Sequence, residues 1–139
     1  MLIGTHSHSI DAKGRMFLPA KMRYEFGDTV YLVKGIDPCI TVYPIKAWNE
    51  FYAKLDGLPQ IEARKIRRFL YASAEETPID SQGRILIVPE LRTYAQLGKN
   101  VKLVGMGEFA EIWSEENYGK EMESMQVDDI ASKLIELGF

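Results

Sequence analysis

Ile10-Asp11-Ala12-Lys13-Gly14-Arg15-Met16-Phe17-Leu18-Pro19-Ala20-Lys21-Met22-Arg23 returns later in the chain as Ile79-Asp80-Ser81-Gln82-Gly83-Arg84-Ile85-Leu86-Ile87-Val88-Pro89-Glu90-Leu91-Arg92. A constant offset of 69 aligns Asp11 with Asp80, Gly14 with Gly83, Arg15 with Arg84 and Arg23 with Arg92. Apolar positions keep step as well: Met16 with Ile85, Leu18 with Ile87, Met22 with Leu91. One unit occurs twice, and an internal repeat constrains the architecture before any single residue does. Each copy sets an Arg just after a tight turn, so a pseudo-symmetric body has two equivalent Arg positions.

The turn has a mechanism. Asp suits the first position of a type I turn and Gly the last. Gly14 and Gly83 can take positive φ, which predicts a three-residue hairpin loop with a bulge in each copy. Thr5–Ile10 alternates in polarity and reads as the strand before the first turn; Arg15–Leu18 reads as the returning strand. Pro19 and Pro89 suit the start of a short helix. Gly27 can close the first helix, and the second is expected to end near Gly98. Thr29–Val33 with Ile40–Tyr43, and Val101–Val104 with Ala110–Trp113, are strand-rich pairs. Trp48, Phe51, Tyr52 and Leu55 follow helical spacing, as do Val127, Ile130, Ala131, Leu134 and Ile135. Between the copies lies a second helix carrying Ile66, Phe69 and Leu70 on one side, with Arg64, Lys65, Arg67 and Arg68 among the rest. The pattern is β-turn-β-α-β-β-α, twice, with a helix between and another after.

A chain of 139 residues can bury one core of ordinary size, whereas either half alone is marginal. With 46% hydrophobic and 27% charged residues it is an ordinary globular composition. Cys39 is the one cysteine, so no internal disulfide forms. There is no run of about 20 apolar residues, and the opening Met1-Leu2-Ile3-Gly4-Thr5-His6 lacks the features of a signal peptide. A cytoplasmic protein is expected. The net charge is −3, but it is unevenly spread. Residues 1–107 hold 15 Lys+Arg against 11 Asp+Glu, while residues 108–139 hold 2 against 9. Phosphate responds to the local field, so a basic body with an acidic tail is compatible with DNA binding. An acidic solubilising helix on a neutral domain fits the same numbers.

No phosphate loop, dinucleotide fingerprint or nucleophile elbow is present. His6 and His8 could share a strand face, but no further ligand stands near them in sequence. Cys39 follows Pro38 in a turn without a local base. The chain is read as a non-enzyme without cofactor, metal or small-molecule substrate. The repeated turn remains. Asp11, Gly14, Asp80 and Gly83 are fully explained as turn builders. Arg15 and Arg84 are explained less well, because a hairpin does not require Arg after its glycine. Pairing with the turn Asp is one role; bidentate contact with phosphate or with guanine O6/N7, for which Arg is best suited, is the other. Lys13, Lys21 and Arg23 add positive charge in the first copy, where the second has Gln82 and Glu90 in place of the two lysines.

The tandem Asp-x-x-Gly-Arg units, the opening Ile3-Gly4 and His8-Ser9-Ile10-Asp11-Ala12-Lys13-Gly14-Arg15, and Val42-Tyr43-Pro44 before a Trp-bearing helix together resemble the MraZ family of bacterial regulators. The resemblance covers essentially the whole chain. It departs from the family pattern at Val88, where Pro is usual, although Pro89 follows. The resemblance implies an α+β, mainly β fold of two AbrB-like swapped-hairpin repeats, forming one pseudo-two-fold β-barrel with flanking helices. The corresponding division is 5–47 and 74–117 for the repeats, 48–73 for connecting helices and 118–139 for a helical tail. It further implies a ring-shaped homo-oligomer, nucleoid-associated, that binds short G-containing direct repeats in double-stranded promoter DNA of the division and cell-wall gene cluster. DNA contact is then expected around Asp11, Lys13 and Arg15, with Lys21 and Arg23 adding charge, and at Asp80 and Arg84. The competing expectation is a protein-interaction ring or antitoxin-like partner binder. Salt-dependent preference for a particular DNA repeat distinguishes the two.

Overall fold

Ile10, Met16 and Leu18 from the first copy and Ile85, Ile87 and Leu91 from the second are buried in one shared core. The computed structural model describes every residue from Met1 to Phe139. In chain order the elements are β1 (Thr5–Ser9), β2 (Arg15–Phe17), α1 (Ala20–Phe26), β3 (Thr29–Lys34), β4 (Ile40–Pro44), α2 (Ile45–Asp56) and α3 (Gln60–Leu70). The same series then repeats as β5 (Glu75–Pro78), β6 (Arg84–Leu86), α4 (Pro89–Tyr94), β7 (Asn100–Gly105), β8 (Ala110–Ser114), α5 (Glu115–Ser124) and α6 (Val127–Glu136). The fold is α+β. Helical residues outnumber strand residues, yet the core is built on the strands and the two short helices α1 and α4.

Strand pairing shows the exchange between halves. One antiparallel sheet runs β1-β7-β8-β4-β3-β5, and a two-stranded ribbon pairs β2 with β6. β1 of the first repeat pairs with β7 of the second, and β5 of the second pairs with β3 of the first. β4 and β8 meet at the middle of the sheet, centred on Thr41 opposite Glu111. β2 and β6 meet in the ribbon, centred on Met16 opposite Ile85. A pseudo-two-fold axis therefore passes through both centres. The turn at Asp11–Gly14 reverses the chain, but β1 and β2 do not pair with each other as a local hairpin would. Their partners all lie in the other half. Hydrogen bonding runs in an open six-stranded sheet with the ribbon beside it, and β1 and β5 are the two sheet edges.

The ribbon alternates as strands do. Met16 and Ile85 face inward and are buried, while Arg15, Phe17, Arg84 and Leu86 face outward. Leu18 and Ile87, both fully buried, extend the pairing: Leu18 N–H donates to Gly83 O and Ile87 N–H to Gly14 O. Burying each of these side chains contributes about 1.5–3 kcal/mol, so the ribbon is fastened to the core through its inner face.

The short helices close it off. Met22 and Phe26 of α1, and Leu91 of α4 with Ala95 just beyond, point into the core. α1 ends at Gly27, whose φ is 72°. α4 ends at Tyr94, earlier than Gly98 suggests, because Gln96 takes the left-handed turn at φ 55°. α1 and α4 begin at equivalent positions despite Val88, with Pro89 as the first residue of α4. α2 is held by aromatic stacking: Trp48 lies on Tyr31 at 4.9 Å and Phe51 on Tyr43 at 5.4 Å. Ser114 caps α5 by accepting from Asn117 N–H. No helix is long and apolar enough to cross a membrane.

Candidate nucleic-acid interface

Each repeated turn is knotted by its aspartate. Asp11 Oδ1 accepts from the backbone N–H of Lys13 and of Arg15, both at 2.9 Å, and Oδ2 accepts from Arg15 Nε at 2.8 Å. Gly14 N–H donates to Asp11 O and Asp11 N–H to Arg15 O, which closes the reversal. The second copy is superimposable in its bonding. Asp80 Oδ1 accepts from Gln82 and Arg84 N–H, and Oδ2 accepts from Arg84 Nε at 2.8 Å. Gly14 and Gly83 both have φ 83°, a conformation that only glycine adopts without strain. Backbone donation from Arg15, then its guanidinium, holds the Asp11 carboxyl below the usual carboxylate range; Arg84 does the same for Asp80.

Both roles weighed for Arg15 and Arg84 therefore meet in one side chain. Nε is spent on the aspartate, while the terminal nitrogens of each guanidinium carry no hydrogen bond. The register sets the two arginines on one face: Arg15 stands opposite Leu86, and Arg84 opposite Phe17. They are diagonal neighbours, about 7–8 Å apart on standard strand geometry. Phe17 and Leu86 are 47% and 49% exposed between them, large apolar side chains left in water on an otherwise polar face. The Arg84 guanidinium lies 5.8 Å from the Phe17 ring centroid, an orientation that steers it over the ribbon.

Arg23 and Arg92 cross the pseudo-dyad. Arg23, on α1 of the first repeat, donates from Nε to Leu18 O and lies against Gly83 of the second. A Cβ added at Gly83 would stand 2.0 Å from Arg23 Cζ. Arg92 lies against Gly14 in the same way, with Cζ 3.3 Å from where a Cβ would be, and its Nε is buried without a partner. Each turn is thus flanked by its own Arg and by one from the other repeat. Arg92 was not among the candidate residues chosen from sequence. Its alignment with Arg23 was the signal that could have found it.

The remaining candidates fall around this face. Lys13 is exposed at the tip of the first turn, and Lys21 is exposed on the first turn of α1. Glu90, which replaces Lys21 in the second copy, pairs with Lys34 at 3.5 Å. The second turn therefore has neither lysine. His6 and His8 lie on β1, and burial, then the neighbouring His6, pushes the His8 imidazole down. Cys39 is fully buried, and burial with the nearby Glu111 pushes its thiol up. No three His, Cys, Asp or Glu side chains gather as a metal site would require.

Comparison with known proteins agrees with the repeat. The chain matches the model of a family described as "MraZ protein, putative antitoxin-like" twice, over residues 1–69 and 70–135. It is similar to the transcriptional regulator MraZ of Caldicellulosiruptor bescii, with 46% identity over 99% of both chains. The transcriptional regulator MraZ of Caldicellulosiruptor saccharolyticus is 47% identical, again over 99% of each. That of Heliobacterium modesticaldum is 40% identical over 98% of each.

Proposed function

The chain belongs to the MraZ family, and from that premise we propose that it is a transcriptional regulator that binds promoter DNA through the outer face of the β2–β6 ribbon. One observation carries the reading: two aspartate-anchored arginines with free terminal nitrogens share the outward face of a two-stranded ribbon. The major groove of B-DNA is about 12 Å wide and admits a two-stranded ribbon. Arg15 and Arg84 are the base-reading residues, each able to give two parallel bonds to guanine O6 and N7. Lys13 and Lys21 engage phosphate, which positions the protein without selecting sequence. Arg23 and Arg92 buttress the turns and add to the field. Asp11 and Asp80 act by holding the arginines, since both oxygens of each already accept from the turn backbone and from the arginine Nε. Phe17 and Leu86 are placed to touch thymine methyl groups or sugar.

One protomer offers two reading arginines, which is a small footprint. Several protomers joined on one DNA gain effective concentration without new contact types. This supports a homo-oligomer; the family resemblance is what suggests a ring on short, G-containing direct repeats at the promoter of the division and cell-wall gene cluster, in a cytoplasmic, nucleoid-associated setting. The test is a fluorescence-anisotropy titration with duplex DNA from upstream of the protein's own gene and with a scrambled duplex, each at several salt concentrations. Steep salt dependence for both, with tighter binding to the upstream duplex, is expected. Equal, weak binding to both at low salt would sink the sequence-specific reading and favour a face that grips an acidic protein.

A further inference from the structure

Four arginines surround the two turns, and one of them is left without a partner. Arg15 and Arg84 bond their aspartates, and Arg23 donates from Nε to Leu18 O. Arg92 aligns with Arg23 in sequence but does not repeat its bond. Its Nε is buried and unpaired, and its guanidinium forms no ion pair. The side chain is part-buried against Gly14. A cation drawn partly out of water without a partner is costly, and native structures pair nearly all of their buried donors. The Arg92 guanidinium therefore calls for an acceptor that the chain itself does not supply.

Its surroundings suit an anion. Arg92 lines a shallow cleft of about 520 Å³ together with Pro89, Thr93, Gln96 and Leu97, and no carboxylate lines it. Thr93 brings a hydroxyl and Gln96 an amide. Gln96 is the one non-glycine residue at positive φ, at 55°. Strain of that kind persists where the surroundings enforce it and gathers at binding sites. Gln96 Oε1 accepts from Asn117 Nδ2 at 2.9 Å, which leaves the amide nitrogen to donate. The first repeat has no counterpart. At the offset of 69, Tyr24, Gly27 and Asp28 stand where Thr93, Gln96 and Leu97 do. That exchange removes the amide and sets a carboxylate at the rim, and Arg23 is already tethered.

We propose that Arg92, Thr93 and Gln96 form a phosphate-binding site on the flank of the first turn, built from the second repeat alone. The guanidinium takes two phosphate oxygens as a fork, and the hydroxyl and amide donate to the others. The phosphate has two sources: the backbone of a DNA duplex lying on the ribbon, or a free phosphoryl compound. The first source rests on the ribbon reading given above; the second is independent of it.

The test compares the full chain with Arg92→Gln and with the pair Thr93→Val and Gln96→Gly. The pair changes no charge, lies at exposed positions, and gives glycine the left-handed φ it accepts freely, so it should fold as the parent does. It carries the test alone if Arg92→Gln does not fold. In the first arm, inorganic phosphate replaces chloride at equal ionic strength, without DNA, and thermal unfolding is followed. Phosphate stabilises any fold by exclusion from its surface, so the readout is the extra rise in melting temperature of the parent over each variant. In the second arm, binding to the scrambled duplex is titrated at several salt concentrations. Arg92→Gln should flatten the salt slope by about one unit, and the uncharged pair should weaken binding with base preference intact. A response in the second arm identifies backbone phosphate as the ligand. A response in the first arm alone identifies a free phosphoryl compound. Parent and variants alike in both arms, or a paired variant that behaves as the parent while Arg92→Gln does not, would overturn the site. A parent that binds no DNA sinks the ribbon reading and leaves the first arm to decide this one.

Discussion

Replacing Arg15 by Ala separates anchoring from recognition. In the structure the Arg15 side chain spends Nε on Asp11 and nothing on its terminal nitrogens. The turn itself is closed by the backbone N–H groups of Lys13, Gly14 and Arg15, none of which needs the side chain. The lost Asp11–Arg15 pair is solvent-exposed, and exposed pairs add little to stability. Arg15→Ala should therefore melt close to the parent protein. On DNA the lost group is the pair of free nitrogens. A bidentate contact to guanine is worth about 1–3 kcal/mol, or roughly 5- to 150-fold in affinity. Arg15→Lys keeps the charge without the fork, so it should retain non-specific binding and lose most of the discrimination. Lys13→Ala should weaken all sequences alike and flatten the salt slope by about one unit. Arg84→Ala should cost less than Arg15→Ala, because Gln82 stands where Lys13 does and Arg84 already leans on Phe17. Anisotropy titrations against upstream and scrambled duplexes, paired with calorimetric melting, read both quantities on one sample. A normally folded Arg15→Ala protein with parent affinity for the upstream duplex would refute the reasoning.

Three further outcomes follow from the turns and the topology. Asp11 and Asp80 have carboxyls held low in the folded state, so their stabilisation is complete above the unfolded value of about 3.9 and is lost as pH falls through the lower folded value. Acid unfolding below about pH 4 should be shallower in Asp11→Asn with Asp80→Asn than in the parent, and an unchanged acid limb would count against the turn bonding. Gly83→Ala places a Cβ at positive φ and displaces the Arg23 guanidinium, for a loss of about 1–2 kcal/mol from the backbone alone; calorimetry should show it, and a neutral result would mean the turn relaxes. A fragment ending at Gly57 keeps the β3–β4 pair but loses β7 from β1, β6 from β2, β5 from β3 and β8 from β4. It should be unfolded or self-associated, and a cooperative monomeric melt would contradict the exchange between halves.

The repeat is plain in the residues themselves, whereas the exchange of strands between halves comes only from the family resemblance. Asp, Gly and the offset of 69 specify a local reversal, because turn chemistry acts within four residues. They do not specify which strand each arm joins. A local hairpin over Thr5–Leu18 satisfies the same residues, and the exchange is decided by long-range burial of Met16, Leu18, Ile85 and Ile87 in one core. The site divided in the same way. Asp11, Lys13, Arg15, Asp80 and Arg84, the proposed contact residues, stand out from the motif alone. Arg92 is marked in the sequence only by its alignment with Arg23, and its contact with Gly14 across the pseudo-dyad is visible only in the fold. Arg23 was legible as a charge and not as a buttress, since its Nε bond to Leu18 O belongs to the packed helix. The end of α4 was misplaced because Gln96 adopts a conformation for which Gly98 was the obvious candidate.

The choice between structural and recognition roles for Arg15 and Arg84 also changes form once the atoms are assigned. A long, free arginine must surrender side-chain entropy when it grips a base. Here Asp11 and Asp80 fix the inner end of each guanidinium and leave the outer end open, so on the proposed reading the fork is set before DNA arrives. The aspartate has its own cost, because a carboxylate beside phosphate repels it. That cost falls on every sequence equally, whereas a pre-positioned fork rewards only the base that matches it. The anchored pair therefore trades non-specific affinity for discrimination. The trade is sharper in the second copy, which has Gln82 and Glu90 in place of Lys13 and Lys21. On this argument the first turn contributes more of the electrostatic hold, and the second contributes mostly selection. Raising salt should erode the effect of Lys13→Ala and leave the base preference lost in Arg84→Ala in place.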